Sequence, residues 1–154
     1  MKLKFIVLIL TLVQFCCKKT TNNPALSQII SGRYEANTYV NGGSQTMLYP
    51  INGQTITLQI DPVSEDSVSV QVNSTTNGSY SPGGNAVYPN TAVHETICSN
   101  CQYDKTYRIS LGSQLNPGTL ENTIWFDPNN NAYYTYIPPN YTKGTVQTIF
   151  VKTK

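Results

Sequence analysis

The stretch Thr55-Ile56-Thr57-Leu58-Gln59-Ile60-Asp61-Pro62-Val63-Ser64-Glu65-Asp66-Ser67-Val68-Ser69-Val70-Gln71-Val72 decides the fold class. Ile56, Leu58 and Ile60 alternate with polar neighbours, and Val68, Val70 and Val72 do the same. Successive side chains of a strand point to opposite faces, so a period of two is the pattern of a strand with one face buried and the other in water. Between the two runs, Asp61-Pro62 to Asp66 brings a proline and three carboxylates together, the composition of a solvated turn. The stretch therefore predicts an antiparallel hairpin.

The same period extends in both directions. Upstream, Thr46 to Ile51 forms a strand signal that ends at Asn52-Gly53, two residues that tolerate the positive φ a type I′ turn requires. Before that, Tyr34, Ala36, Thr38 and Val40 alternate with Arg33, Glu35, Asn37 and Tyr39 until Asn41-Gly42-Gly43 breaks the run. Downstream, Asn73 to Thr91 is rich in Ser, Thr, Asn, Gly and Pro and predicts a long surface loop, with at most a short strand near Ala86 to Tyr88. Strand signals resume at Ala92 to Cys98, Tyr103 to Leu111, Thr123 to Asp127, Ala132 to Ile137 and Thr145 to Lys152. No internal helix is predicted beyond a helical turn or lid at Ile29 and Ile30. Eight or nine short strands in sequence order describe an all-β antiparallel meander, and closing it into an up-and-down barrel of about eight strands removes its unpaired edges. The alternative is a β-sandwich of immunoglobulin type, which the tight consecutive hairpins disfavour.

Ser31-Gly32-Arg33-Tyr34-Glu35 and Thr148-Ile149-Phe150-Val151-Lys152 bring in a family. They resemble the two ends of lipocalin-like, calycin-type barrels, which open on Gly-x-Trp and close on a basic residue packed near it. The resemblance spans Ile30 to Lys152. It implies that the last strand returns a base to the aromatic residue of the first, with Tyr34 standing where the family has tryptophan. Trp125 sits elsewhere and the family's Thr-Asp-Tyr motif is absent, departures that bear on ligand binding more than on architecture.

The N-terminus speaks to location. Lys2 and Lys4 precede the apolar run Phe5 to Val13, and Gln14-Phe15-Cys16-Cys17-Lys18-Lys19 follows it. The run is too short to span a hydrocarbon core of ~30 Å, which needs about 20 apolar residues, so it reads as an export signal. In layout it resembles a bacterial lipoprotein signal peptide, whose cysteine after the apolar run is acylated. Either Cys16 or Cys17 is the expected lipidation site: Cys16 has Leu12 and Val13 upstream but bulky Phe15 before it, while Cys17 follows a small residue but has Gln14 at an apolar position. The expected organisation is a signal peptide and lipobox over residues 1–17, a flexible tether over 18–28 and a barrel domain over 29–154. Asp66-Ser67-Val68 is similar to the short O-glycosylation motif of exported Bacteroidetes proteins.

Composition excludes one class of partner. The whole chain carries a formal charge of +2, but from Leu26 onward six Lys and Arg face eight Asp and Glu, a net of −2. A weakly acidic domain with scattered charge has no electrostatic footprint for nucleic acid.

One cluster holds redox or metal-ligating residue types: His94-Glu95-Thr96-Ile97-Cys98-Ser99-Asn100-Cys101. Two cysteines and a histidine could hold a soft metal, with Glu95 or Asp104 as a fourth ligand, but a structural zinc site made from two cysteines normally recruits a second pair. The simpler expectation is a hairpin corner closed by a disulfide between Cys98 and Cys101, as an exporting compartment permits. No catalytic residue, metal site or cofactor is predicted; His94 is the single histidine, and the Gly-x-Ser-x-Gly elbow of serine hydrolases is missing. The carboxylates Asp61, Glu65 and Asp66 sit on a turn and read as solvated charges. The 11 tyrosines, against 4 phenylalanines and 1 tryptophan, supply amphipathic rings for sugar, protein or a wet cavity, or serve simply as β-formers.

The expected function is that of a lipid-anchored cell-envelope protein, on the periplasmic or surface face of the outer membrane, acting as a non-catalytic binding or interaction module. A carrier of a small hydrophobic ligand is one alternative. A metal or thiol-redox sensor using His94, Cys98 and Cys101 is the other. The expected partners are the membrane, through the anchor, and either a small hydrophobic ligand or an envelope protein or glycan.

Overall fold

A computed structural model of the chain describes residues 23–41, 45–75, 82, 84–97, 105–112, 122–137 and 145–153. Among the described residues, one short helix, α1 (Leu26–Ile30), precedes nine strands: β1 (Gly32–Asn41), β2 (Gln45–Leu48), β3 (Ile56–Pro62), β4 (Ser67–Ser74), β5 (Ala86–Ile97), β6 (Lys105–Ser110), β7 (Thr123–Phe126), β8 (Ala132–Tyr136) and β9 (Val146–Lys152). All pairings are antiparallel; β1 pairs with both β2 and β3, the strands from β3 to β9 pair in sequence order, and β9 returns to pair with β1. The result is a closed up-and-down barrel of eight strands with β2 as an extra strand, which rules out the sandwich alternative and is compatible with a lipocalin-like fold. The described strands and core cluster all lie within residues 23–153, and the barrel closes through the β1–β9 pairing within that span.

One edge of β1 is shared. Gly32 to Glu35 pair with β3 while Thr38 to Asn41 pair with β2, so β2 and β3 lie end to end along the same edge. They are one strand line interrupted by an excursion over residues 49–55. Within it Ile51 bridges Gln54 across Asn52-Gly53, whose φ values of 52° and 76° are both positive, as the Asn-Gly signal predicts. The predicted strand Thr46 to Ile51 thus ends at Leu48.

The alternating residues of the founding hairpin behave as their period requires. Ile56, Leu58, Ile60, Val68, Val70 and Val72 are all buried, joined inside by Ile109, Ile124, Phe126, Val146 and Phe150. Each such side chain contributes ~1.5–3 kcal/mol relative to leaving it in water. The helix α1 covers the mouth at which β1 begins. Ile30 is buried, the Ser27 amide donates to the Glu65 carbonyl, and the Tyr34 hydroxyl donates to the Ile30 carbonyl at 2.7 Å. Leu26 to Gln28, assigned to the tether by sequence, therefore belong to this plug.

Two further strands, β1 and β5, depart from the alternation of the sequence. In β1 the register to β9 shifts between Ala36 and Thr38. A bulge adds one residue and flips the faces beyond it, so Tyr39 is buried where the alternation placed Thr38 and Val40. In β5 the strand begins at Ala86 and runs through Pro89 and Asn90 to Ile97, with a register shift against β4 and Asn90 at φ 54°. A proline is tolerated at a bulge because it has no ladder hydrogen bond to give there. The predicted loop Asn73 to Thr91 shrinks at both ends accordingly.

Candidate functional site

An eight-stranded barrel either fills with side chains or holds one small ligand. Tyr34 of β1 and Phe126 of β7 are separated in the wall by β8 and β9, yet their rings meet edge to face with centroids 5.8 Å apart. Nearer the opposite mouth, Tyr134 of β8 comes within interaction range of Tyr88 of β5, again across the lumen, and packs on Tyr136 with ring centroids 4.9 Å apart and planes tilted by 45°. Tyr49, from the excursion between β2 and β3, shares hydrogen bonds with Tyr136 and Thr148, and Tyr136 and Thr148 are themselves 3.1 Å apart. Rings from non-adjacent strands thus span the interior at both levels. Burial pushes the phenols of Tyr34, Tyr49, Tyr134 and Tyr136 upward, since a phenolate would lose its hydration there. Alternation along β8 makes Tyr134 and Tyr136 legible as inward in the sequence. Tyr39 is hidden by its bulge, and Tyr49 is placed by a turn rather than a strand.

On the outside, Arg108, Trp125, Tyr133 and Ile149 occupy directly opposed positions on β6, β7, β8 and β9, and His94 extends the row to β5. Their strand neighbours Ile109, Ile124, Tyr134 and Thr148 are buried, which turns this row outward. The guanidinium carbon of Arg108 lies 5.4 Å from the centre of the Trp125 ring, within range of a cation–π contact. Arg108 Nε is buried without a hydrogen-bond partner, so the stacked arrangement is bound by shape and charge rather than by that donor. The chain's one tryptophan is therefore part of the outer wall, half-buried between Arg108 and Tyr133.

Next to the row's end, the Asp127 carboxylate organises the β7–β8 turn. It is 5% exposed and accepts from the amides of Asn129 and Asn131, from Asn131 Nδ2 and from the Tyr133 hydroxyl. Its lone pairs are spent on structure. A third feature is a notch of about 290 Å³ in the outer wall where the β2–β3 line is interrupted, bordered by Arg33 and Glu35 at its rim and Tyr49 and Pro50 at its side.

Of the residues singled out by sequence, Cys16, Cys17, Cys98, Cys101 and Asp104 lie outside the described residues. His94 is exposed on the outer face of β5, opposite Arg108. Among the described residues, His, Cys, Asp and Glu form no group able to hold a metal ion, and no helix is long and apolar enough to cross a membrane. Asp61, Glu65 and Asp66 are exposed, with Gln59 and Ser64 donating to Asp61 and Asp66. Ser67, the hydroxyl of the glycosylation-like triplet, is 8% exposed and lies 2.7 Å from Ser64 Oγ.

No family model matches the chain, and neither a curated protein nor a solved structure matches it.

Proposed function

We propose that the chain is a lipid-anchored protein of the cell envelope whose barrel works as a non-catalytic binding or interaction module through its outer wall. The observation that carries this reading is the contact of Tyr34 with Phe126 across the lumen, because those rings take up the space a carried ligand would need. The outer row supplies the alternative surface. Trp, Tyr and Arg are the residue types that dominate binding hot spots, and Arg108, Trp125 and Tyr133 stand side by side there. The anchor rests on Phe5 to Val13 followed by Cys16 and Cys17, acyl chains being the source of membrane affinity. The partner is an envelope protein or glycan.

Native mass spectrometry of the domain released from the envelope tests the binding mode. The expected result is the mass of the protein without a hydrophobic passenger; a stoichiometric lipid or similar ligand replaces this reading with that of a carrier. Alkylation without reductant, after denaturation, is expected to leave Cys98 and Cys101 unmodified, whereas quantitative labelling of both supports the thiol or metal sensor. Radiolabelled palmitate is expected to enter the full chain and to be absent from the Cys16→Ser, Cys17→Ser double variant.

A further inference from the structure

We infer that the notch where β2 gives way to β3 is a binding site for a neutral saccharide. Its origin is topological. Along the shared edge of β1, β2 leaves after Leu48 and β3 resumes opposite Glu35 at Thr57, so the wall lacks a strand beside Ala36 and Asn37. The Tyr49 amide closes part of the gap by donating to the Asn37 carbonyl at 2.9 Å, and Tyr49 then turns its phenol inward to Tyr136 and Thr148. What remains is an outward-facing recess of about 290 Å³ with Ala36 as an apolar floor above the buried Ile56, and Pro50 beside Tyr49 as a wall. That volume is at the small end of the ~300–1,000 Å³ found for ligand pockets, a fit for a sugar unit rather than an acyl chain.

The rim decides the ligand's charge. Arg33 and Glu35 form an ion pair at 3.6 Å, with side chains 60% and 56% exposed, and Thr55 and Thr57 add hydroxyls to the same border. The pair neutralises itself, so an ionic ligand gains little net attraction. An exposed pair of this kind is also weakly held and opens readily. Guanidinium offers donors only, carboxylate acceptors only, and the threonine hydroxyls both, which matches a ring of hydroxyl groups that each donate and accept. The apolar floor and the Tyr49 and Pro50 rings match the C–H faces of the same ring. A molecule with hydroxyl edges, apolar faces and no charge is a saccharide.

This inference rests on the outer-wall reading and names its ligand class. The test is an amide chemical-shift titration of residues 23–154 with glucose, N-acetylglucosamine and cellobiose, with the zwitterions glycine and alanine as comparators. The expected result is saturable shifts at Arg33, Glu35, Ala36, Tyr49 and Thr57 with at least one sugar, lost in Thr57→Trp, which fills the recess from its half-exposed rim and leaves the melting temperature unchanged. Glu35→Gln is expected to weaken the response at least several-fold without abolishing the fold. Response to the amino acids and not to the sugars overturns the saccharide assignment, as does silence with all probes, and both leave the outer-wall reading standing. Shifts centred on the luminal Val70 and Ile124 overturn both.

Discussion

Lys152 Nζ stands 5.7 Å from the centre of the Tyr34 ring, and Lys152 is also the register partner of Tyr34 in the β1–β9 pairing. The contact joins the first strand to the last at the seam where the barrel closes. The Tyr34 hydroxyl continues the connection into α1 through the Ile30 carbonyl. One residue thus ties together seam, lumen and plug. Tyr34→Phe keeps the ring but leaves a buried carbonyl unsatisfied, at a cost of ~1–3 kcal/mol. Thermal denaturation should show the loss, and amide exchange of Gln28 and Ile29 should quicken; an unchanged melting temperature would remove the hydroxyl from this role.

Gly32 lies beneath the same lysine. Its φ is +138°, and an added Cβ would come within 2.7 Å of Lys152 Cε. Gly32→Ala is expected to destabilise by ~1–3 kcal/mol through backbone strain alone. Gly53 has φ +76° but open space around it, so Gly53→Ala should cost less. A double-mutant cycle of Gly32→Ala with Lys152→Ala isolates the steric part, which should shrink when the lysine is gone.

Val70 faces the lumen with no exposed surface. In a packed interior Val70→Phe overfills the site and should cost ~1–3 kcal/mol. The melting temperature reads this directly. Unchanged stability with reduced binding of a hydrophobic dye would mean that the ring entered an open cavity, and the carrier reading would then take precedence.

Asp127 gathers four donors at the β7–β8 turn. Asp127→Ala strands two backbone amides, the Asn131 side chain and the Tyr133 hydroxyl near the protein surface. Hydrogen bonds to a charged group are worth ~1.5–3 kcal/mol each, and water will recover part of that, so a loss of about 2–3 kcal/mol is expected in urea unfolding. Tyr133 and Trp125 are register partners, so near-ultraviolet dichroism of the tryptophan should change as well.

Alkaline pH probes the tyrosine interior. Burial holds Tyr34, Tyr49, Tyr134 and Tyr136 protonated above the ordinary phenol range. The unfolded chain releases these protons near pH ~10 while the folded chain retains them, so the native state binds more protons and stability falls as pH rises. The contribution is fully present below pH ~10 and is lost above it. Full phenolate absorbance should therefore develop only as the far-ultraviolet dichroism collapses, because Tyr34, Tyr49, Tyr134 and Tyr136 are held back by the fold; a smooth titration of all 11 tyrosines with the fold intact would contradict the buried cluster.

Alternation along the chain determined the class of fold by itself. Ile56, Leu58, Ile60, Val68, Val70 and Val72 could occupy one face only as strands, the Asn52-Gly53 turn was written in two residues, and Gly32-Arg33-Tyr34 with Lys152 foreshadowed the seam. These features are local or periodic, and local backbone preference acts within a few residues of its cause. The tertiary structure alone decided the rest. The bulge that buries Tyr39 depends on how β9 returns to β1, and the strand through Pro89 depends on a register shift against β4. The outer row of Arg108, Trp125 and Tyr133 and the notch beside Ala36 exist only once strands far apart in sequence are set side by side. Register, unlike period, is a relation between segments, and it is closure of the barrel that fixes it.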